Sequence, residues 1–288
     1  MSIMQTMLRS PSFLVIDQVC RPPRVNCGGP NGDEPAHFLF TRRGAFAVSV
    51  GSRVCYARPG QAVLVQRNAD YRVAHPDAAG CDCCTDVRVD DAVLDALGLA
   101  TPPACRELPH DLEFQQAHVE MWLGLRHGSA DADDPEELLY DALGCLLSNA
   151  ASMRLRRSSG TSRRLARVEE AIIGQAGENL HVGQLAALAG CSPFHLCRLF
   201  RARTGQSLRR FRLQQRLGTA LGRLADGEDD LAALACDLGF SSHSHMSAAF
   251  RQQFGRSPRE LRDELRSSDL KRLQARLRSQ RLDRQRAV

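Results

Sequence analysis

Lysine is almost absent: 37 of the 38 basic residues are arginine, and Lys271 is the exception. Genome base composition accounts for that skew more simply than any mechanism. No apolar run approaches the roughly 18 residues a membrane helix needs, which excludes such a span. No secretory leader is visible either. "SFLVI", Ser12–Ile16, is far shorter than a signal-peptide core and reads as a first strand, so the chain is expected in the cytoplasm. Paired metal ligands are missing as well. The β-rich part holds His37 and His75, far apart, and no His-x-His pair. Ser/His/Asp arrangements and phosphate-cradling glycine loops do not stand out. These absences argue against a catalytic centre, a metal and a cofactor.

What is present is a chain of 288 residues, 43% hydrophobic and 25% charged, ordinary values for a globular protein of one to three domains. Its net charge of +5 hides a split. Residues 1–161 carry 15 basic and 20 acidic side chains, whereas residues 162–288 carry 23 and 13. Such asymmetry suggests a nucleic-acid-binding half joined to a half with another task, although a basic solvated surface would look the same.

Residues 12 to about 90 alternate short runs rich in Val and aromatics ("AHFLF", "AFAVSVG", "AVLVQ", "TDVRV") with turns such as "GGPNGDEP" and "RPGQ". That spacing predicts a sandwich or small barrel. From residue 90 the period becomes helical, in "DDAVLDALGL", "DLEFQQAHVEMWLGLRHG" and "DPEELLYDALGCLLSNAASMRLRR". The last two segments, 112–127 and 135–152, are amphipathic. They either cover the sheet or form a subunit contact, with Trp122 among Val119, Met121 and Leu123 as its anchor. "RRSSGTSRR", residues 156–164, reads as an interdomain linker. Beyond it the pattern is helical throughout. From Arg266 on there are 8 basic and 2 acidic residues, with a thin stripe of Leu270, Leu273 and Leu277, and this stretch reads as a frayed basic tail.

The helical half contains a repeat. Ala186, Gly190 and Ser192 match Ala235, Gly239 and Ser241 at an offset of 49. Leu196, Phe200 and Gly205 match Met246, Phe250 and Gly255 at an offset of 50, so the second turn has gained one residue. Each copy is a helix, a Gly-centred turn and a second helix. In the first copy Ser192 caps, Pro193 opens the second helix, and Leu196, Leu199 and Phe200 form its core face. Phe194, Cys197, Arg198 and Arg201 lie opposite, with His195 beside them. In the second copy Met246, Ala249 and Phe250 face the core. Ser244, Ser247, Ala248 and Arg251 lie opposite, flanked by His243 and His245. Between the copies, "SLRRFRLQQRLGTALGRLADG" predicts one long helix that would hold two readers at a fixed spacing.

"LAALAGCSPFHLCRLFRARTGQSLRRFRLQQRL" and "LACDLGFSSHSHMSAAFRQQFGRSPREL" resemble the double helix-turn-helix domain of the AraC/XylS family of bacterial transcription regulators. Met246 departs from the pattern, where the family usually carries an aromatic. The resemblance implies an α+β chain: an N-terminal cupin-like β-barrel with flanking helices, then an all-α DNA-binding domain. The boundaries are 1–157 for effector binding and dimerisation, 158–164 for a linker, 165–265 for the helix-turn-helix pair and 266–288 for the tail. The partners it implies are promoter DNA in the major groove, a second copy of the chain, an unidentified effector and RNA polymerase, with no membrane. Expected DNA-binding residues are Phe194, His195, Cys197, Arg198 and Arg201 in the first copy. In the second they are His243, Ser244, His245, Ser247 and Arg251. A cupin-type enzyme with a helical appendage is the alternative, and the missing His pair argues against it.

The eleven cysteines are expected to be mostly free thiols in a reducing compartment. Cys81, Cys83 and Cys84 crowd into four residues, and strand alternation sends Cys81 and Cys83 to one face and Cys84 to the other. They are apolar filler, incidental exposed thiols, or a soft-metal or thiol-redox sensor. Three crowded ligands do not make a closed zinc site, which wants four.

Overall fold

The computed structural model describes residues 2–20, 26–28, 34–75, 82–99, 103–126, 135–155, 163–174, 180–266, 277–280 and 282–283. The chain divides into two compact units, Met1–Ala150 together with Glu264–Val288, and Ala151–Asp263.

The first unit is built on two antiparallel sheets. One has six strands: β1 (Ser2–Arg9), β2 (Phe13–Cys20), β9 (Asp82–Val89), β4 (Ala36–Arg43), β7 (Gln61–Val65) and β10 (Cys105–Pro109), in that order. The other orders β3 (Asn26–Gly28), β8 (Tyr71–Ala74), β5 (Phe46–Val50) and β6 (Arg53–Ala57). Among the described residues a single bridge, Arg58 to Gln61 around Pro59-Gly60, links the end of β6 to the start of β7. The expected barrel is therefore a double-sheeted fold, not a cylinder closed by hydrogen bonds. Strands β1, β3 and β10 were not expected. β10 reads "CRELP" after a Pro pair, too short and too polar to signal a strand, and it forms by pairing with β7.

Alternation along the large sheet separates two cores. Phe13, Val15, Phe38, Phe40, Val87 and Val89 face one side. There α1 (Asp91–Ala96), α2 (Leu112–Arg126) and α3 (Pro135–Leu155) cover them with Val93, Phe114, Met121, Leu139 and Leu143. Leu39, Val63 and Cys84 face the other side and meet Phe46, Val48 and Cys55 of the small sheet. Helix α2 buries 11 of its 15 residues, far more than one amphipathic face. Trp122 is 1% exposed and lies under the Arg42 guanidinium, 4.0 Å from the ring centroid. Val119, Met121 and Leu123 are buried too. These four residues pack inside their own unit, so they anchor the helix to the sheet and offer no surface for a subunit contact.

The second unit contains seven helices among the described residues. They are α4 (Arg163–Gly174), α5 (Val182–Leu188), α6 (Pro193–Thr204), α7 (Leu208–Ala225), α8 (Leu231–Asp237), α9 (His243–Phe254) and α10 (Pro258–Arg266). Linker residues 158–162 lie outside the described residues, while Arg163 and Arg164 already belong to α4. The tail is not frayed where it is described. Residues 277–280 are helical, and Leu277 sits in the helix-side core of the first unit, 1% exposed.

Candidate nucleic-acid interface and a buried cavity

Each helix-turn-helix is fixed by local chemistry before packing is considered. Gly190 and Gly239 turn the chain at φ 61° and 68°, a region that carries no steric penalty only for glycine. The Ser192 hydroxyl then accepts the His195 N–H at 3.3 Å and opens α6, with Pro193 at the first helical position. In the second copy the cap is Ser242, which accepts the His245 N–H at 3.1 Å. Ser241, the offset-49 match of Ser192, does not take that role. The extra residue of the second turn falls before the cap, so Ser242 keeps the offset of 50 that the rest of its helix obeys, and Ser241 instead bonds the His245 ring at 3.0 Å.

Packing follows the repeat. Leu196 and Phe200 of α6 are buried with Leu185 and Ala186 of α5, and Phe200 meets Phe211 of α7 edge-on at 5.2 Å. Met246, Ala249 and Phe250 of α9 are buried in the same way, and Met246 is wholly shielded from solvent. Leu199 differs from expectation. It is 37% exposed, because the buried stripe lies on the Phe200 side of Leu196 and leaves the other flank to solvent. Two arginines of α7 brace the motifs: Arg212 donates to the Leu180 carbonyl at 2.9 Å and Arg216 to the Gly239 carbonyl at 2.8 Å. Arg223 is occupied by Glu228 and Asp237.

The outward faces are unlike one another. On α6, Phe194 is 80% exposed, with Cys197, Arg198 and Arg201 exposed and His195 half-buried. On α9, His243, Ser244, His245, Ala248 and Arg251 are exposed and Ser247 is half-buried. The second face is also tied up internally: the Ser247 hydroxyl and the His243 ring are 3.3 Å apart. Arg209, Arg210 and Arg259, which the sequence reading did not single out, are exposed in the same unit.

Between the two sheets of the first unit lies a cavity of about 50 Å³. Gln18, Tyr71, His75, Asp82, Cys84 and Asp86 line it. Asp82 bonds the His75 ring at 2.5 Å and accepts the Ala45 N–H at 2.9 Å. Asp86 takes the His37 ring at 3.2 Å, the Gln18 amide at 3.3 Å and the Arg88 guanidinium at 3.0 Å. A Cβ at Gly44 would stand 1.9 Å from an Asp82 oxygen, so only glycine lets the β4–β5 turn close over this carboxylate. Asp82, Asp86 and Arg88 on one face of "DCCTDVRV", a strand that is otherwise buried, were the available signal for this site.

The cysteines are divided by the same alternation. Cys84 faces the cavity and Cys83 the opposite side, while Cys81 lies outside the described residues. Burial and the nearby Asp86 carboxylate push the Cys84 thiol well up. Another pair of thiols belongs to no cluster in the sequence. Cys55 and Cys105 approach to 3.1 Å, and burial raises the Cys55 thiol to about 12. No group of three or more His, Cys, Asp or Glu placed to hold a metal occurs among the described residues.

A family profile described as "Helix-turn-helix domain" matches residues 185–264, which spans both motifs. Regulatory protein SoxS of Escherichia coli K12 is 36% identical over 86 residues, 30% of this chain and 80% of SoxS. The chain belongs to the AraC family. A second member, the Msm operon regulatory protein of Streptococcus mutans, is 29% identical over 131 residues, 45% of this chain and 47% of that protein. The match thus spans about half the length of that regulator, and 31% of an uncharacterized Haemophilus influenzae regulator. Among solved structures, the DNA-binding domain of AdpA in complex with a target DNA is 30% identical. It covers 36% of this chain and 94% of that one, with a TM-score of 0.35.

Proposed function

We propose that this AraC-family member is a sequence-specific DNA-binding transcription regulator acting in the cytoplasm as a homodimer. Its partners in that role are promoter DNA, RNA polymerase and a small effector bound by the first unit. The observation that carries the reading is the pair of matched helix-turn-helix motifs, each with its outward face exposed, on either side of the 18-residue helix α7. That helix is about 27 Å long, close to the roughly 34 Å between successive major-groove faces. The cavity between the sheets suits a small polar effector. Its carboxylates are held by His, Gln and Arg partners that a ligand would have to compete with or extend. Cys84, with its raised pKa, is a poor thiolate, which favours a reversible ligand over a thiol-redox signal. Effector occupancy would act by rearranging domains or subunits. Membership of a regulator family supports this reading over a cupin-type enzyme. No helix among the described residues is long and apolar enough to cross a membrane.

The two fingers contribute unequally. Arg198 is the exposed arginine nearest the start of α6, and arginine can bond both acceptors of a guanine edge. Phe194, one turn earlier and exposed, would meet a thymine methyl. The position matching Arg198 in α9 is Ala248, and its neighbours there are short polar groups with shared hydrogen bonds. Arg201 and Arg251 lie a turn further on and suit phosphates. Arg198→Ala is expected to cost about 1–3 kcal/mol on a site selected from a random DNA library, and to relax preference at one base pair. Binding of both proteins to the selected site and to scrambled DNA, at two salt concentrations, checks this. Equal losses on both DNAs would assign Arg198 to phosphate instead.

A further inference from the structure

We propose that the effector of the first unit is a small organic cation, a primary alkylammonium, seated between the two sheets against Asp82 and Asp86. The proposal rests on the reading above that this cavity holds an effector. Three lining donors are already committed. The His75 ring bonds Asp82, the Gln18 amide bonds Asp86, and the Cys84 thiol donates to the Gln18 carbonyl at 3.6 Å. What the cavity has left to offer is acceptors. A carboxylate has about four lone-pair sites, and at Asp86 the His37, Gln18 and Arg88 side chains take three of them. A ligand that donates can use the remaining site, and one that only accepts cannot. The Tyr71 hydroxyl both donates and accepts, so it carries no preference.

The field in the cavity points the same way. Asp82 and Asp86 line it, and Arg88, which bonds Asp86, is shared with a further carboxylate, Glu34. Burial, and after it the Asp86 carboxylate, raises the pKa of both the Tyr71 hydroxyl and the Cys84 thiol. Both groups thus feel a negative potential, which attracts a cation and repels an anion. The Phe46 and Tyr71 rings offer faces for that cation, and Leu39 and Val73 offer contact to an alkyl carbon that a bare metal ion would leave unused. Thr41 marks this face independently. It stands opposite Cys84 in register, on the strand face of His37 and Leu39. Its hydroxyl is buried, at 1% exposure, and has no hydrogen-bond partner among the described residues. Buried hydroxyls are normally bonded, so this one is available to a ligand's donor. Gln18, Cys20, Tyr71 and Val73 are half-buried, which gives access from solvent. The cavity of about 50 Å³ has room for roughly three to four water-sized groups, at about 10–15 Å³ each.

Ethylammonium, ethanol and formate separate the possibilities, because each has three non-hydrogen atoms and they differ in charge. The full chain is heated with each in turn, with sodium chloride holding the ionic strength constant, and the fluorescence of Trp122 follows unfolding of the first unit. A ligand of this size binds no tighter than about millimolar, so about 10 mM ethylammonium is expected to raise the midpoint by roughly 3–5 °C. Ethanol and formate are expected to move it by less than about 1 °C. Asp86→Asn removes the charge, and Val73→Phe fills the space without touching a carboxylate. Each is expected to weaken the response to ethylammonium about tenfold, and Val73→Phe carries the comparison if Asp86→Asn does not fold. An equal shift with ethanol, or a shift with formate alone, would overturn the choice of a cation. No shift with any of the three, or an unchanged ethylammonium shift in Val73→Phe, would overturn the site. Affinity of the wild type for a DNA site selected from a random library, with and without ethylammonium, reads the effector role. A change of about threefold or more supports it, and an unchanged affinity overturns it. Absence of DNA binding in both conditions, with the thermal shift intact, would instead overturn the regulator reading on which that role rests.

Discussion

Arg42 shows how much one residue can organise. It is buried in the helix-side core, where its guanidinium bonds Asp17 at 2.5 Å and the Thr85 hydroxyl at 2.7 Å and lies over Trp122. Thr85 in turn takes the His118 ring at 2.9 Å. Three strands, β2, β4 and β9, and helix α2 are therefore joined through a single cation. Arg42→Ala leaves the Asp17 carboxylate buried without its counter-charge, a change that costs about 3–5 kcal/mol. Chemical denaturation followed by fluorescence of Trp122, the only Trp, is expected to show a loss of that size. A loss below about 1 kcal/mol would mean that water reaches Asp17 and replaces the guanidinium.

At the scale of elements, the repeat is one unit used twice with a single residue inserted, and the caps decide where that residue goes. Ser242→Ala is expected to destabilise the second motif by about 1 kcal/mol, the usual value of an N-cap hydroxyl. Ser241→Ala removes only a contact to the exposed His245 ring and should cost a few tenths of that. Thermal unfolding of the two variants separates them, and the reverse order would move the cap to Ser241. The strands β2 and β9 show the same economy in the first unit. Gln18 and Asp86 face the cavity, while Asp17 and Thr85, their neighbours in sequence, face the helices and the Arg42 network. Sheet period alone gives these strands two chemically different faces.

For the whole molecule, acid should act on the first unit before the second. Burial holds His110 neutral, with its pKa lowered from 6.5 to about 4, and burial with the nearby Arg42 charge lowers His118 well below 6.5. The unfolded chain binds these protons at higher pH than the folded chain does. The stabilisation is therefore complete above about pH 6.5 and is lost as pH falls toward 4. At about 1.4 kcal/mol per pKa unit, His110 alone contributes on the order of 3 kcal/mol. The Trp122 melting transition is expected to drop steeply between pH 6.5 and 4.5, and His110→Asn should flatten that dependence. An unchanged slope in the variant would place the acid sensitivity elsewhere.

The sequence by itself determined the helical half almost completely. Caps, turn glycines and apolar spacing are local, and a helix closes its hydrogen bonds within itself, so Ser192, Gly190, Leu196 and Phe200 could be placed by counting. The cap of the second copy was not placed by counting, because the repeat changes register in the turn that holds Ser241 and Ser242. Alternation along one strand likewise separated Cys83 from Cys84 without a structure. Tertiary structure decided what depends on distant pairing. Strand β10 exists because β7 accepts it, the cavity because residues 18, 71, 75 and 86 converge from three strands and a loop, and the Cys55–Cys105 approach because two strands meet. It decided the tail as well. A thin Leu stripe among arginines has no local reason to order, and only the apolar seat between α2 and α3, more than a hundred residues earlier in the chain, gives Leu277 somewhere to be buried.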